Sequence, residues 1–327
     1  MSSQLSKRQF VVFALACTAY VGDFIGYGAW LFPAVRAEQP NPTAMETSKT
    51  TALRAYSALP SQTTAAEYDR FIATHPELLR AQEKPYGSAL MWALEFGKTE
   101  PALALMRAQC EIPDGSLTLA ARGGLDVAVP LLFGRGVTTH DRDFAVLEAA
   151  KYGHASTLQL LFSLRASPSV ASPEDGLTPL HIAAYERKLA AIKVLLAHGA
   201  KLETRDREGL TPLSAAASAY RPLEKHVYEK LGRPHGIQFV DPGEAIGVKL
   251  LIEAGAQLHT TDNAGNTPLH HAVQHCARRA VEALLLAGAK VNVKNRAKQT
   301  PLALAKNSRC PQEHEKINSL FHVQNRR

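Results

Sequence analysis

Apolar positions follow two patterns along this chain. From Phe10 to Val35 they run nearly unbroken, FVVFALACTAYVGDFIGYGAWLFPAV, 26 residues in which Asp23 is the one charge. A helix needs about 20 such residues to cross a bilayer, so this stretch predicts a single hydrophobic N-terminal helix. Beyond a polar stretch containing Pro and Thr, the pattern changes to short apolar blocks at helical spacing, divided by glycines and polar turns. The block from Ala191 to Ala200, AIKVLLAHGA, is the clearest, an apolar stripe closed by Gly199, which permits a left-handed exit from a helix. Ahead of it, Thr178 is placed to cap an earlier helix, and Pro179 sits at the first helical position, where its missing N–H does no harm. Each block therefore predicts two short helices.

The blocks repeat. Thr-Pro-Leu begins at Thr178, Thr211, Thr267 and Thr300, in steps of 33, 56 and 33. Thr-Pro-Leu-His is complete at 178–181 and 267–270, and Leu-Leu-x-x-Gly-Ala closes the block at 195–200 and 284–289, with 251–256 one substitution away. On these residues the chain resembles the ankyrin repeat family, whose unit of about 33 residues is a β-turn followed by two helices. Upstream, the runs from Leu90 to Leu94, Leu117 to Ala121 and Val146 to Ala150 open diverged copies. The positions equivalent to the leucine of the triplet are 90, 117, 146, 180, 213, 269 and 302, hence about seven repeats, with Ala66 to Arg80 as a half-repeat cap before them.

The resemblance implies an all-α solenoid of stacked helix-turn-helix units with short β-turn tips. One helix pair has too little apolar area to stand alone, and stacking buries a continuous core. The expected organisation is a tail at 1–9, a transmembrane helix or signal anchor at 10–35, a linker at 36–50 and the repeat domain at 51–327. The last unit, from Thr300 to Phe321, is rich in Lys, Asn, Gln and Glu, as suits a solvated end.

The 56-residue step carries 23 residues more than its neighbours. From Thr-Pro-Leu to the closing glycine takes 21 residues in the units at Thr178 and Thr267 but 44 from Thr211 to Gly255. The excess, at about 218–243, thus falls between the two helices of one unit and leaves the turn tips untouched. Within it Leu223, Val227 and Leu231, with Tyr228 beside them, predict a short amphipathic helix stopped by Gly232. Asp241-Pro242-Gly243-Glu244 then matches a cap that restarts the second helix. Four cations face four acids across Arg221 to Glu244, so the insertion is no electrostatic patch, and Tyr228, Ile237 and Phe239 must pack on the stack or on a partner.

Lys7 and Arg8 precede the hydrophobic segment, Arg36 ends it, and the next cation is Lys49. This bias predicts a cytoplasmic N-terminus and a repeat domain on the far side of a bacterial inner membrane, as in a single-pass protein. A signal peptide cleaved near Ala37 is the competing reading; it would release a periplasmic binding or inhibitor protein of the immunity type. The apolar stretch exceeds the about 7 to 15 residues usual for such signals. Cys17 after Ala14-Leu15-Ala16 resembles a lipoprotein site, but apolar sequence continues past it. Gly22 and Gly26 form a GxxxG pattern that lets two helices approach closely and shelter Asp23, which makes these three residues candidates for pairing spans into a homodimer. The alternative, that they mark the end of a shorter apolar region, stays open.

Apolar residues at 46% and charged residues at 20% suit a folded chain. The formal charge of +7 is spread out, with no basic block carrying interleaved aromatics, which argues against nucleic acid as a partner. Four cysteines, Cys17, Cys110, Cys276 and Cys310, are too scattered for a disulfide framework or a zinc knuckle. Cys276 and Cys310 stand nine and ten residues after their threonines, so a bridge between them is open outside the cytoplasm if their α-carbons come within about 7 Å. Cys110 reads as a small core residue. His271 and His275 share a helix face at i, i+4, but no carboxylate completes a metal set locally. With no GxSxG, HExxH or phosphate-binding loop, the chain reads as a non-enzyme without metal or cofactor.

What the resemblance implies is a non-catalytic protein–protein interaction module, cupped so that partners meet the concave helix face and the turn tips. His181 and His270 take the structural place of that family's histidine. The candidate tip residues are Arg205, Arg207 and Glu208, then Asn263, then Lys294, Arg296 and Lys298, the last tip being basic. Asp206 and Asp262, three residues before Gly209 and Gly265, are placed to bond their own turns. Tyr228 and Phe239 of the insertion complete the set. The alternative function is a structural or assembly protein self-associating through its span.

Overall fold

The computed structural model describes residues 48–60, 62–79, 88–218, 244–306 and 311–324, all within one compact unit that begins at Ser48. The segment 10–35, with Gly22, Asp23 and Gly26, lies outside these residues, as do Tyr228 and Phe239 of the insertion. Among the described residues the secondary structure is helical throughout, and no helix is long and apolar enough to cross a membrane.

A cap comes first, made of α1 (Ser48–Ser57), α2 (Ala65–Thr74) and a 3-10 turn (Pro76–Leu79). The following helices come in pairs. These are α3 (Ala89–Glu95) with α4 (Thr99–Arg107), α5 (Ser116–Arg122) with α6 (Ala128–Phe133), and α7 (Thr139–Tyr152) with α8 (Ala155–Ser163). Next are α9 (Pro179–Tyr185) with α10 (Leu189–Ala197) and α11 (Pro212–Ser218) with α12 (Glu244–Glu253). Last are α13 (Pro268–Gln274) with α14 (Arg278–Leu286) and α15 (Pro301–Lys306) with α16 (Pro311–Gln324). First helices pack on first helices and second on second from one end of the stack to the other.

The packing follows from two residue sizes in register. Leu90, Leu117, Val146, Leu180, Leu213 and Leu269 are at most 1% exposed, each contributing about 2 kcal/mol by burial. Three residues on, Ala93, Ala120, Ala149, Ala183, Ala216 and Ala272 are buried too, and their small side chains let adjacent first helices approach closely. Leu302, in the same register, is only half-buried, and no further pair follows it among the described residues. The stack ends instead on α16, whose Ile317 and Phe321 are buried.

The N-terminal end is more elaborate than a half-repeat. Helix α1 starts inside the stretch that composition assigns to a linker, and Tyr56 is the reason: it is 1% exposed, its hydroxyl donates to Pro101 O at 2.7 Å, and its ring meets Tyr68 and Trp92 edge-on. Burial pushes that hydroxyl far above its usual pKa, so it stays a donor. The third pair also departs from the pattern, since α7 extends to 14 residues and occupies with helix the place where later pairs carry a turn tip.

The insertion does not part the stack. Helices α11 and α12 pack on each other and on both neighbouring pairs. The described residues that flank it are Ser218, at the C-terminal end of α11, and Glu244, at the start of α12, and the C-terminal end of a first helix is the end away from the tips, which precede the first helices. A seven-residue helix separates the two edges by about 10 Å.

Candidate protein-binding surface

From the fourth pair onward, each junction between pairs carries a tip that is wired to the next. The backbone N–H of Arg207 donates to Asp175 O, that of Asn263 to Glu208 O and that of Arg296 to Ala264 O, each at 2.9 Å. Each tip is also closed on itself. Asp206 Oδ1 accepts from the N–H groups of Glu208 and Leu210, Asp262 Oδ1 from those of Ala264 and Asn266, and Asn295 Oδ1 from that of Gln299. Asp206 and Asp262 thus bond their own turns, as their spacing to glycine predicts. Gly209 and Gly265 have φ +81, and a Cβ on either would come within 2.9 Å of the next tip's backbone nitrogen, so glycine is required twice over.

The candidate tip residues divide into two groups. Arg205 donates from its guanidinium to Thr261 O at 2.9 Å, Arg207 donates to Pro173 O, and the Asn263 amide donates to Arg207 O at 2.9 Å. These three are exposed but spend their donors on neighbouring tips. Glu208, Lys294, Arg296 and Lys298 are exposed, and no side-chain hydrogen bond or ion pair joins the last three to another described residue. The structure therefore brings all seven to one edge and leaves the cationic tip at its end open.

Sequence reading passed over the opposite edge. Phe96, Tyr152 and Tyr185 are 54%, 41% and 38% exposed, and each lies at, or one residue beyond, the C-terminal end of its first helix. Units stack in register, first helix on first helix, so these rings share one edge with Ser218 at the end of α11. Between them, the Arg122 guanidinium links Glu148 at 2.8 Å and Glu95 at 3.3 Å, tying three first helices together. The signal was present as large apolar residues where the repeat pattern expects polar ones.

A second feature has no counterpart in the motif. Asp141, 3% exposed in α7, accepts from the backbone N–H groups of Leu117 and Thr118 at 3.1 and 2.9 Å, capping the start of α5 from the neighbouring pair. The local N-cap of α5 is Gly115, which has no side chain to do this.

The histidines are structural. His181 Nε2 donates to Leu210 O at 3.0 Å, while its Nδ1 accepts from the backbone N–H and hydroxyl of Thr178; His270 repeats this with Gln299 O and Thr267. Burial lowers both imidazoles below their usual pKa, which suits this neutral tautomer. His271 Nε2 is 2.9 Å from Asp262 Oδ2. Burial lowers His271 as well, against the pull of that carboxylate, so the contact is a neutral N–H donated to an anion rather than an ion pair. One ring nitrogen of His271 is thereby engaged, and no cluster of three potential ligands occurs among the described residues. Burial pushes the Cys110 thiol up to about 11, as befits a small core residue. Cys276 is disulfide-bonded, with its partner outside the described residues.

Paired helices stacked in register, with hydrogen-bonded tips along one edge, define a helical-repeat protein. The family model for ankyrin repeats matches residues 146–228 and 237–313 in three copies, and the chain belongs to the ankyrin-repeat proteins. It is 32% identical over 214 residues to mouse (Mus musculus) Rabankyrin-5, covering 60% of this chain and 18% of that one. To human (Homo sapiens) Rabankyrin-5 it is 34% identical over 166 residues, covering 46% of this chain and 14% of that one. To human ankyrin repeat and SOCS box protein 16 it is 30% identical over 182 residues, covering 49% and 40%. The chain thus spans less than a fifth of the length of either rabankyrin. Ankyrin repeats make it a protein–protein interaction module.

Proposed function

We propose that this module is tethered to a membrane by residues 10–35, lies outside the cytoplasm, and binds a protein partner without catalysis. The contact surface in this reading is the aromatic edge of the first helices together with the 218–243 insertion, with the turn tips beside it. The observation that carries it is the exposure of Phe96, Tyr152 and Tyr185 along one edge. Exposed large rings in that position offer rigid apolar contact area, and aromatic anchors dominate binding energy at protein interfaces. The disulfide at Cys276 supports the location, because such bonds persist in oxidising compartments.

Two experiments test the parts separately. Reporters fused to the C-terminus, one active only outside the cytoplasm and one only inside, should show activity of the first alone. Cross-linking in cells should then trap a partner with the intact protein, and trap it poorly after Phe96→Ser, Tyr152→Ser and Tyr185→Ser together or after replacement of residues 220–240 by a short linker. Equal recovery by all three proteins would remove the aromatic edge and the insertion from the interface.

A further inference from the structure

We propose that the last described turn tip, Lys294 to Gln299, is a docking site for an acidic segment of the protein partner. This rests on the protein-binding reading above and specifies the chemistry of one part of its surface. The tip ladder is directional, each tip donating its backbone N–H to the tip before it. Among the described residues no later tip donates to the tip at 294–299. In earlier tips the side chains bridge to their neighbours, Arg205 forward to Thr261 and Arg207 back to Pro173. Lys294 and Arg296 occupy those same two registers six and four residues before the threonine, yet neither side chain is hydrogen-bonded or ion-paired to a described residue.

The third cation supplies an independent observation. Lys298 stands where Gly176, Gly209 and Gly265 stand in the preceding tips, and it holds their left-handed conformation at φ +59. In those tips a Cβ would press on the next tip's backbone nitrogen at 2.9 to 3.2 Å, whereas among the described residues no later tip follows Lys298. The left-handed conformation still disfavours any residue but glycine, so a lysine there is held against its backbone preference. Exposed cations consequently alternate along the tip at 294, 296 and 298. From Arg278 to Lys306 seven cations stand against the single acid Glu282, whereas the tip from Arg205 to Glu208 carries two of each sign.

An acidic protein segment fits this tip better than the other polyanions. The tip holds no aromatic ring for a base to stack on, and none of the large exposed apolar side chains that would enter a lipid surface lies within it. Three exposed cations within five residues of one turn complement a segment that carries several carboxylates close together. Charge pairing at an exposed rim acts mainly on encounter rate and weakens with salt.

The test uses the full chain in non-ionic detergent with fluorescein-labelled hexaglutamate as the probe, read by anisotropy. Lys294→Glu, Arg296→Glu and Lys298→Glu together should weaken binding about tenfold or more, and added salt should weaken wild-type binding. A charge-matched control on exposed lysines elsewhere, Lys193→Glu, Lys201→Glu and Lys249→Glu, should stay within about twofold. Lys298→Gly should raise the thermal midpoint while lowering affinity for the peptide, a combination that a purely structural lysine would not produce. Equal loss in the control, or no loss on tip reversal, overturns the proposal. So does tighter binding of phosphatidylserine vesicles or duplex DNA that tip reversal abolishes, which would assign the tip to a membrane or a nucleic acid. If tip reversal is silent while the aromatic-edge variant loses its cross-linked partner, this inference fails alone and the protein-binding reading stands.

Discussion

Replacing Asp141 by alanine tests whether one repeat unit caps its neighbour. The carboxylate is almost wholly buried and accepts from two backbone N–H groups at the start of α5. Alanine leaves both donors without a partner in a place water reaches poorly, at about 1–3 kcal/mol each. Loss of a negative charge from a helix N-terminus adds a few tenths of a kcal/mol. The expected destabilisation is about 3 kcal/mol, whereas asparagine, which keeps one acceptor oxygen, should cost about half of that. Hydrogen exchange at Leu117 and Thr118 is the direct assay. Those two amides should exchange about 100-fold faster in Asp141→Ala, because 1.4 kcal/mol corresponds to a factor of ten. Urea unfolding should show the second and third pairs losing cooperativity first, as expected where stability is a sum of units and interfaces. Wild-type protection at both amides in Asp141→Ala would refute the capping argument. Equal damage from asparagine would assign the effect to charge rather than to the unpaired donors.

Four further outcomes follow from the same contacts. Lowering the pH from about 7.5 to 5.5 should lower the thermal midpoint: burial holds His181, His270, His271 and His275 below the usual 6.5, so the unfolded chain takes up protons that the folded chain refuses. A midpoint that is flat or rising over that range would contradict the neutral-histidine assignment. Gly265→Ala should cost about 2–4 kcal/mol in chemical denaturation, combining a left-handed backbone with a 2.9 Å approach to Arg296 N, while Gly199→Ala, with open space around it, should cost about 1. Arg122→Met should cost about 1–2 kcal/mol, and Glu148→Gln in the same background should recover part of it, a coupling that a double-mutant cycle measures. Iodoacetamide should label Cys276 only after reduction, and labelling of the untreated native protein would exclude its disulfide.

Much of the fold could be read from the chain because its determinants are local. Thr178 and Thr267 cap helices three residues away, Asp206 and Asp262 close turns four residues long, and the leucine register recurs at a fixed period. Each of these contacts joins residues that the backbone already holds close together, so residue type and spacing suffice to announce them. Counting residues from threonine to glycine likewise assigns the 23-residue excess to a single unit without any structure.

Tertiary structure decided the contacts that cross from one unit to another. Arg205 and Thr261 are 56 residues apart, and only stacking turns a solvated tip arginine into a bridge between tips. Asp141 follows Thr138 at the spacing of a local helix cap, and its oxygens nevertheless serve a helix that begins 25 residues earlier. Phe96, Tyr152 and Tyr185 are single apolar residues in the sequence and become one edge only when their units stack in register. The physical reason is common to all three: period and propensity state what each unit is, whereas the identity of the neighbour in space depends on how the units are laid against one another.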